Sequence, residues 1–264
     1  MYYIDKLTAD KNNPFNGINH LLGLAGIFRK IACIGDSLSS GEFEVPSESN
    51  PGRMEYIDMF EYSWGQFLGR HVGSTVYNFS RGGMTASEYV KSFADKMDFW
   101  NPEKASHAYI IALGANDRNQ PSDSVHPLGS VSDICPGHPE NNRDTFAGLY
   151  ATIIDRYRII SPNAYFFLVT MPHEEQKYDD ISGIHASLIH EIASLYNRTY
   201  VIDFYKYAPR YDSEFMKVFF MNGHMNPAGY VLTARMMEAY IDHIIMSNPE
   251  DFNKAGLIGT PYCG

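Results

Sequence analysis

Short apolar runs alternate with longer segments of helical periodicity along most of the chain, and this alternation restricts the possible folds more than any other feature of the sequence. Runs rich in β-branched and aromatic residues predict strands, whereas apolar residues recurring every three or four positions predict helices. Alternating strands and helices predict βα units around a parallel sheet, and five strands suffice for a small doubly wound α/β sheet. The predicted strands are Lys30–Ile34, Thr75–Asn78, Ala108–Leu113, Tyr165–Met171 and Tyr200–Phe204. The predicted helices are Thr85–Lys96, Arg143–Ile160, Ile181–Asn197 and Pro227–Met246.

The length and charge of the chain limit its organisation and its partners. A chain of 264 residues is long enough for one sizeable core, so we expect a single domain over residues 1–264. Residues 1–29 contain a turn-rich stretch and are expected to form an N-terminal extension. The net charge of −10 disfavours binding to nucleic acid or to anionic lipid. No apolar run reaches the roughly 18 residues of a membrane span, so we expect no membrane-spanning segment.

The cysteines and the N-terminal region bear on the compartment. Cys33, Cys135 and Cys263 form no C-x-x-C pair, and an odd number cannot close a complete set of intrachain disulfides. This pattern is typical of a reducing compartment or of a fold that needs no bridges. The apolar segment Leu21–Phe28 lacks the flanking features of a signal peptide. We therefore expect a cytoplasmic protein, or a secreted one whose signal peptide has been removed.

A serine and a histidine occupy positions typical of a catalytic pair. Ser37 follows the first predicted strand in the sequence Gly-Asp-Ser, where backbone N–H groups of an ensuing helical turn could face an oxyanion. His224 lies just before the last predicted helix. An imidazole, with an ordinary pKa of about 6.5, can take the serine proton and return it to a leaving group. Taken alone, such a serine is as often a helix cap, and the chain has ten histidines.

Two other predicted strands end in residues that can donate hydrogen bonds. Gly82 and Gly83 follow the second strand, and a glycine there leaves its N–H unobstructed. Asn116 follows the third strand, and its NH₂ group can donate to an oxyanion without adding a charge. A glycine turn and an Asx turn are the simpler interpretations of these two segments. Their position matters, because the carboxyl ends of parallel strands meet at one edge of a sheet.

Taken together, these segments resemble the four sequence blocks of the SGNH hydrolase superfamily, the GDSL-like lipases and esterases, over about residues 30–246. Gly35-Asp36-Ser37-Leu38 resembles the first block, Gly83 the second, Asn116 the third and His224 the fourth. The resemblance implies the flavodoxin-like arrangement of three α/β/α layers around a five-stranded parallel sheet. It also implies that Ser37 is the nucleophile and His224 the general base. Ser37, Gly83 and Asn116 would then form the oxyanion hole.

One position departs from the family pattern. The family usually has Asp three residues before the catalytic histidine, and here that residue is Met221. The second N–H of the imidazole then needs another acceptor to fix its tautomer. The candidates are a backbone carbonyl near Met221, the Asn222 side chain, or a carboxylate from elsewhere such as Asp212 or Glu214. We expect a Ser-His dyad oriented by a main-chain carbonyl, as in some family members.

Rival kinds of site have weaker patterns. The chain has no G-x-S-x-G motif of the α/β-hydrolases and neither of the glycine-rich nucleotide-binding motifs. The segments Cys135–His138 and His173–Glu175 match neither H-E-x-x-H nor a paired C-x-x-C. Two histidines on one predicted helix, His185 and His190, are five positions apart and do not share a face. We therefore expect no cofactor and no metal.

Two long irregular stretches, Ser39–Tyr62 and Arg118–Asn142, are expected to wall the site, because long loops in compact domains are usually functional. The first stretch and the residues just after it are rich in aromatic and acidic residues. The aromatic residues could stack on sugar rings or simply anchor the loop to the core. The acidic residues predict a negatively charged rim that disfavours anionic substrates. The aromatic residues are Phe43, Tyr56, Phe60, Tyr62 and Trp64. The acidic residues are Glu42, Glu44, Glu55 and Glu61.

These observations favour a serine esterase that hydrolyses small acyl esters through an acyl-enzyme. An acetyl ester of a carbohydrate is the best single substrate, because the loops are polar and aromatic and no broad apolar lid is evident. A thioesterase, a lysophospholipase and an acyltransferase are alternatives within the same chemistry. A non-catalytic carbohydrate-binding domain on the same fold is the alternative from another class, favoured by Met221 at the usual Asp position.

Overall fold

The structure is a computed structural model that describes residue 8 and residues 10–118, 127–174 and 179–263. The strands, in chain order, are β1 (Lys30–Gly35), β2 (Glu42–Pro46), β3 (Met54–Asp58), β4 (Thr75–Asn78), β5 (Ala108–Ala112), β6 (Tyr165–Val169), β7 (Thr199–Ile202), β8 (Phe220–Met221) and β9 (His224–Met225). The helices are α1 (Ser37–Ser40), α2 (Trp64–Val72), α3 (Ala86–Glu88, continued by the π-helical Tyr89–Phe93 and by Ala94–Lys96), α4 (Ala115–Arg118), α5 (Phe146–Ile160), α6 (Asp179–Ser194), α7 (Phe204–Tyr207), α8 (Ser213–Phe219), α9 (Pro227–Ser247) and α10 (Pro249–Phe252). Short 3₁₀ turns are Pro14–Asn19, Leu24–Ile27, Phe60–Tyr62, Pro102–Lys104, Val131–Asp133, Pro139–Asn141 and Ala255–Leu257.

The central sheet has five parallel strands in the order β4-β1-β5-β6-β7. Its register carries one row of side chains across the sheet, in which Cys33 pairs with Ile110 and Ile110 with Phe167. All five predicted strands are present; Thr75–Asn78 matches at both ends, and no strand end differs from the prediction by more than two residues. The predicted fold class is therefore confirmed.

Alternate residues of the central strands face opposite sides of the sheet and build two separate apolar cores. Ile31 and Cys33 pack with α2 and α9 on one side. Ala32 and Ile34 pack with α3, α5 and α6 on the other. Because side chains alternate along a strand and both faces are covered, these strands read as continuous apolar runs. The carboxyl edge of the sheet is left for polar loops.

A polar residue caps each of the two helices that adjoin Ser37 and His224. Asn226 caps α9 by accepting a hydrogen bond from the Gly229 N–H at 3.0 Å, and Pro227 occupies the first helical position. Asp36 caps α1 in the same way, accepting from the Leu38 N–H at 3.0 Å. These caps set the exits from the loops that carry His224 and Ser37.

The stretch 39–62, interpreted from sequence as an irregular loop, contains the antiparallel hairpin β2–β3. Phe43 points into the core and is 8% exposed, while Glu42 and Glu44 share the other face of β2. The alternation is only five residues long, which explains why the loop prediction was wrong there. In the second stretch, residues 119–126 lie outside the described residues, and residues 127–142 form turns.

The N-terminal residues that the structure describes are packed on α9. Phe15 and Ile18 are fully buried in the core beside that helix. The Asp242 carboxylate on α9 accepts hydrogen bonds from the N–H groups of Leu22 and Leu24, at 2.7 and 2.8 Å. The division into one domain and an extension over residues 1–29 stays a prediction. Among the described helices, none has both the length and the apolar character needed to cross a membrane, and all three cysteines are free.

Candidate active site

A cavity of about 560 Å³ opens at the carboxyl edge of the central sheet. Its wall is formed by α1 after β1, by α4 after β5, by the segment after β6, and by α8 and the β8–β9 turn. Ser37, Asn116 and His224 all line this cavity. Three of the four sequence-predicted site residues are therefore brought to one place, from segments far apart in the chain.

Ser37 is presented by a sharp turn between β1 and α1. A side chain at position 35 would place its Cβ 2.2 Å from the Ser39 Oγ and 3.0 Å from the Ala112 carbonyl oxygen, so the turn requires Gly35. Ser37 is the first residue of α1, and the N–H groups of a first helical turn have no partner within the helix. Within the described part of the chain, the Ser37 hydroxyl has no hydrogen-bond partner.

Asn116 is hydrogen-bonded to Met84, the residue that follows Gly83 in the chain. Gly83 has a φ of 71° in the turn after β4, and a Cβ there would meet nothing within 4 Å. The Asn116 NH₂ group donates to the Met84 carbonyl oxygen at 3.2 Å, which ties α4 to the glycine turn. Its second N–H stays available for another acceptor. Asn116 lines the cavity, whereas Gly83 is not among its lining residues in the described part of the chain.

Two carboxylates of β2 hold the imidazole of His224. Its Nε2 lies 3.0 Å from the Glu42 Oε1, and its Nδ1 lies 3.3 Å from the Glu44 Oε2. The Gly223 N–H donates to the same Glu44 oxygen at 2.9 Å. The Tyr56 ring meets the imidazole edge-on, with the ring centroids 5.5 Å apart. The nitrogen that would face Ser37 in the predicted pair is thus occupied by Glu42.

These two glutamates are contacts that the sequence interpretation missed. Both side chains are largely buried, 14% and 11% exposed, so they belong to the site and do not form part of an acidic rim. The signal that could have found them is the alternation Glu42-Phe43-Glu44, which predicts two carboxylates on one face of a strand.

The side chains considered from sequence as partners of His224 have other contacts. Asp212 caps α8 by accepting from the Phe215 N–H at 2.8 Å. Glu214 forms an ion pair with Lys217 at 2.5 Å. The Asn222 NH₂ group lies 4.0 Å from the Met54 sulfur. None of these three contacts involves the imidazole.

Burial changes the acidity of three carboxyl groups around the cavity. Desolvation raises the pKa of Asp36 to about 6 and that of Asp117 to about 7, although backbone hydrogen bonds to both carboxyl groups act to lower these pKa values. Burial also raises the pKa of Glu42, although the nearby His224 acts in the opposite direction. The Asp117 Oδ1 accepts from the Ala86 N–H at 3.0 Å, and its Oδ2 is buried without a partner among the described residues.

The segment that carries Asn116 packs against α6. Gly114 has a φ of 134°, and a Cβ there would lie 2.3 Å from the Nε2 of His185. His185 is fully buried, and desolvation lowers its pKa to about 4, so the ring is neutral. Arg118, at the end of α4, donates to Glu174 and Ser182, each at 2.8 Å. Sequence reasoning assigned none of these supporting residues a role.

Comparison with known proteins places the chain among ester hydrolases by sequence. The family model described as GDSL-like lipase/acylhydrolase matches residues 31–237. No curated protein sequence matches the chain. The matched range contains Ser37, Gly83, Asn116 and His224.

Solved structures share the fold at low sequence identity. A family two carbohydrate esterase from Clostridium thermocellum, in complex with cellohexaose, is 18% identical with a TM-score of 0.57, over 83% of this chain and 65% of that one. A carbohydrate esterase family 2 enzyme from Corynascus thermopiles is 14% identical with a TM-score of 0.56, over 83% and 67%. The psychrotrophic esterase EstA from Pseudoalteromonas sp. is 17% identical with a TM-score of 0.50, over 83% and 99%.

Proposed function

Because the chain belongs to the family of GDSL-like lipases and acylhydrolases, we propose that Ser37 and His224 are the nucleophile and general base with which it hydrolyses carboxylic esters. The predicted membership of the SGNH superfamily and the predicted enzyme class, a carboxylic ester hydrolase, are confirmed by the family match. The observation that carries the residue assignment is the shared cavity, which Ser37 and His224 line together with Asn116.

The proposed reaction passes through an acyl-enzyme. The Ser37 Oγ attacks the ester carbonyl carbon while its proton passes to the His224 Nε2. The N–H groups of Ser37 and Gly83 and the free N–H of the Asn116 amide stabilise the resulting oxyanion. The imidazolium then gives its proton to the leaving alcohol, and a water activated by the same nitrogen releases the acid. The Glu42 carboxyl must leave Nε2 before the first step, because Nε2 cannot serve Ser37 while it holds Glu42.

For the substrate, we propose an acetyl ester carried on a carbohydrate. Tyr56, whose ring contacts His224, and Tyr62, whose ring contacts Phe43, are exposed on and beside the β2–β3 hairpin. Exposed aromatic faces of this kind can stack on sugar rings. The similarity in fold to two carbohydrate esterases supports the same substrate class.

A second candidate is an enzyme for longer acyl groups, such as a thioesterase or a lysophospholipase. It is favoured by the cavity, whose 560 Å³ exceeds what an acetyl group fills and whose wall is largely apolar. Apolar residues of that wall are Leu38, Val169, Met171, Phe204, Met216 and Phe220.

Hydrolysis of p-nitrophenyl acetate by the wild type and by Ser37→Ala tests the assignment. We expect Ser37→Ala to lower kcat/KM by at least about 10³-fold, because the nucleophile is removed. Ser187→Ala is the matched control, since its exposed hydroxyl on α6 lies outside the cavity. A Ser37→Ala enzyme as active as the wild type would refute the proposal, and a wild type no faster than buffer would favour the binding domain.

The acyl group is tested with the acetate, butyrate and octanoate esters of p-nitrophenol, and with an acetylated cello-oligosaccharide. A kcat/KM that falls from acetate to octanoate, together with acetate release from the oligosaccharide, is the result expected for a carbohydrate acetyl esterase. A kcat/KM that rises with chain length would instead favour the second candidate, because each added methylene would be buried against the apolar wall.

A further inference from the structure

The turn before His224 shows why position 221 matters. Asn222, with a φ of 55°, and Gly223 form a two-residue connection between β8 and β9. Met221 is therefore the residue directly opposite His224 across this small hairpin. Side chains of directly opposed residues lie next to each other, so a carboxylate at 221 could reach the imidazole. The thioether of methionine is at best a weak acceptor and carries no charge.

A carboxylate reaches the same ring from another direction. The Glu44 Oε2 lies 3.3 Å from the His224 Nδ1 and also accepts the Gly223 N–H at 2.9 Å. This double contact fixes the carboxylate to the turn that carries the imidazole. The opposing residue on β3, Tyr56, packs its ring against His224. The β2–β3 hairpin therefore contacts the imidazole at two points.

The hairpin itself is anchored to the helix that follows His224. The Phe43 ring, next to Glu44 in the chain, packs on the ring of Tyr230 with the centroids 5.4 Å apart. The Tyr230 hydroxyl donates to the Glu42 carbonyl oxygen at 2.7 Å. Because Tyr230 lies in the first turns of α9, Glu44 and His224 are held on one framework.

We infer that Glu44 is the positioning residue of His224, in place of the carboxylate that the family has at the position of Met221. This inference rests on the proposed function of Ser37 and His224. A charged acceptor at Nδ1 keeps the proton on that nitrogen, leaves Nε2 free to accept the Ser37 proton, and stabilises the imidazolium that then forms. The expectation of a main-chain carbonyl in this role is replaced by a side-chain carboxylate.

Glu42 does not fit the same role, although its contact with the ring is shorter. It lies at Nε2, which is the nitrogen that the proposed mechanism uses, so it competes with Ser37 for that atom. A Cβ at Gly82 would lie within 3 Å of the Glu42 carboxyl group, which shows that Glu42 leans toward the glycine turn. Glu44 lies at Nδ1, on the other side of the imidazole, and does not compete for Nε2.

The test measures kcat and KM on p-nitrophenyl acetate for Glu44→Gln and for the double variant Met221→Asp/Glu44→Gln. Glutamine keeps an oxygen for the Gly223 N–H and removes the charge, so we expect kcat to fall by about 10²-fold with KM within about threefold. Asp at position 221, opposite His224, should restore kcat by at least about tenfold. Glu55→Gln is the matched control, because Glu55 lies on the same hairpin, is exposed and bonds Ser47.

A wild-type kcat for Glu44→Gln would overturn the inference, as would a double variant no faster than Glu44→Gln. A loss of kcat in Glu42→Gln without one in Glu44→Gln would also overturn it. If Glu44→Gln melts far below the wild type, Glu44→Asp takes its place. This variant withdraws the charge by one methylene, and the expected kcat loss is about tenfold at constant KM; an unchanged kcat overturns the inference. If Ser37→Ala kept wild-type activity, the proposed function would be refuted as well. If Ser37→Ala were inactive and Glu44→Gln fully active, only the role of Glu44 would be refuted.

Discussion

Replacing Asp117 by asparagine should change how the stability of the protein depends on pH. The pKa of this carboxyl group is raised from 3.8 to about 7, mainly by burial and to a smaller extent by the negative charge of the nearby Asp36. The folded protein therefore holds a proton on Asp117 at pH values where the unfolded chain has lost it. Because the folded state binds more protons, the free energy of unfolding falls as pH rises from about 4 to about 7. An asparagine does not titrate and escapes this loss.

The size of the effect follows from the two pKa values. The interval from 3.8 to about 7 corresponds to about 4 kcal/mol, at about 1.4 kcal/mol per pKa unit. The Oδ2 atom is buried without a partner among the described residues, but the residue as a whole is half-buried. Solvent therefore screens part of the effect, and we expect a change of about 2–4 kcal/mol.

Urea denaturation of the wild type and of Asp117→Asn between pH 4 and pH 8 measures this change. The free energy of unfolding of the variant minus that of the wild type should rise by about 2–4 kcal/mol over this range. Asp98→Asn is the control, because Asp98 is exposed and its φ of 56° suits asparagine equally well. A difference between Asp117→Asn and the wild type that stays constant with pH would refute the assignment of a retained proton to this carboxyl group.

Two further predictions concern the third sequence block. Asn116→Ala should lower kcat/KM on p-nitrophenyl acetate by about 10²–10³-fold while the melting temperature stays close to that of the wild type, and an unchanged rate would exclude the amide from the oxyanion hole. Gly114→Ala should lower the free energy of unfolding by about 2–4 kcal/mol, because its Cβ would collide with the buried His185 and its φ disfavours a side chain. Gly52→Ala is the control, because Gly52 also has a positive φ but a Cβ there would meet nothing within 4 Å. Urea denaturation should therefore show a smaller loss of stability for Gly52→Ala than for Gly114→Ala, and equal losses would contradict the collision with His185.

The central sheet could be predicted because each of its strands carries its own signal. A strand covered on both faces is an apolar run, and a polar turn follows it, so the pattern is complete within a few residues. The same locality made Ser37 and Asn116 recognisable, since each directly follows such a run. The helix start at Asn226-Pro227 is equally local, and it fixes where the segment with His224 ends.

The contacts of the imidazole could not be predicted in this way. Glu44 and His224 are 180 positions apart, and nothing in the sequence around either residue refers to the other. The contact exists because Phe43 packs on Tyr230, and that packing depends on the complete fold. The collision that Gly114 avoids with His185 is equally non-local, since the two residues approach only when α6 packs beneath the loop.

The proposed chemistry requires an acceptor beside Nδ1, and this requirement is spatial. A carboxylate at position 221 would satisfy it through the adjacent β8–β9 pair, whereas Glu44 satisfies it through a hairpin that follows the nucleophile in the chain. The second route is dependable only if the hairpin is held in place, since a mobile carboxylate would cost the base its orientation. The burial of Phe43 supplies that hold, and so a methionine at position 221 is compatible with catalysis in this chain.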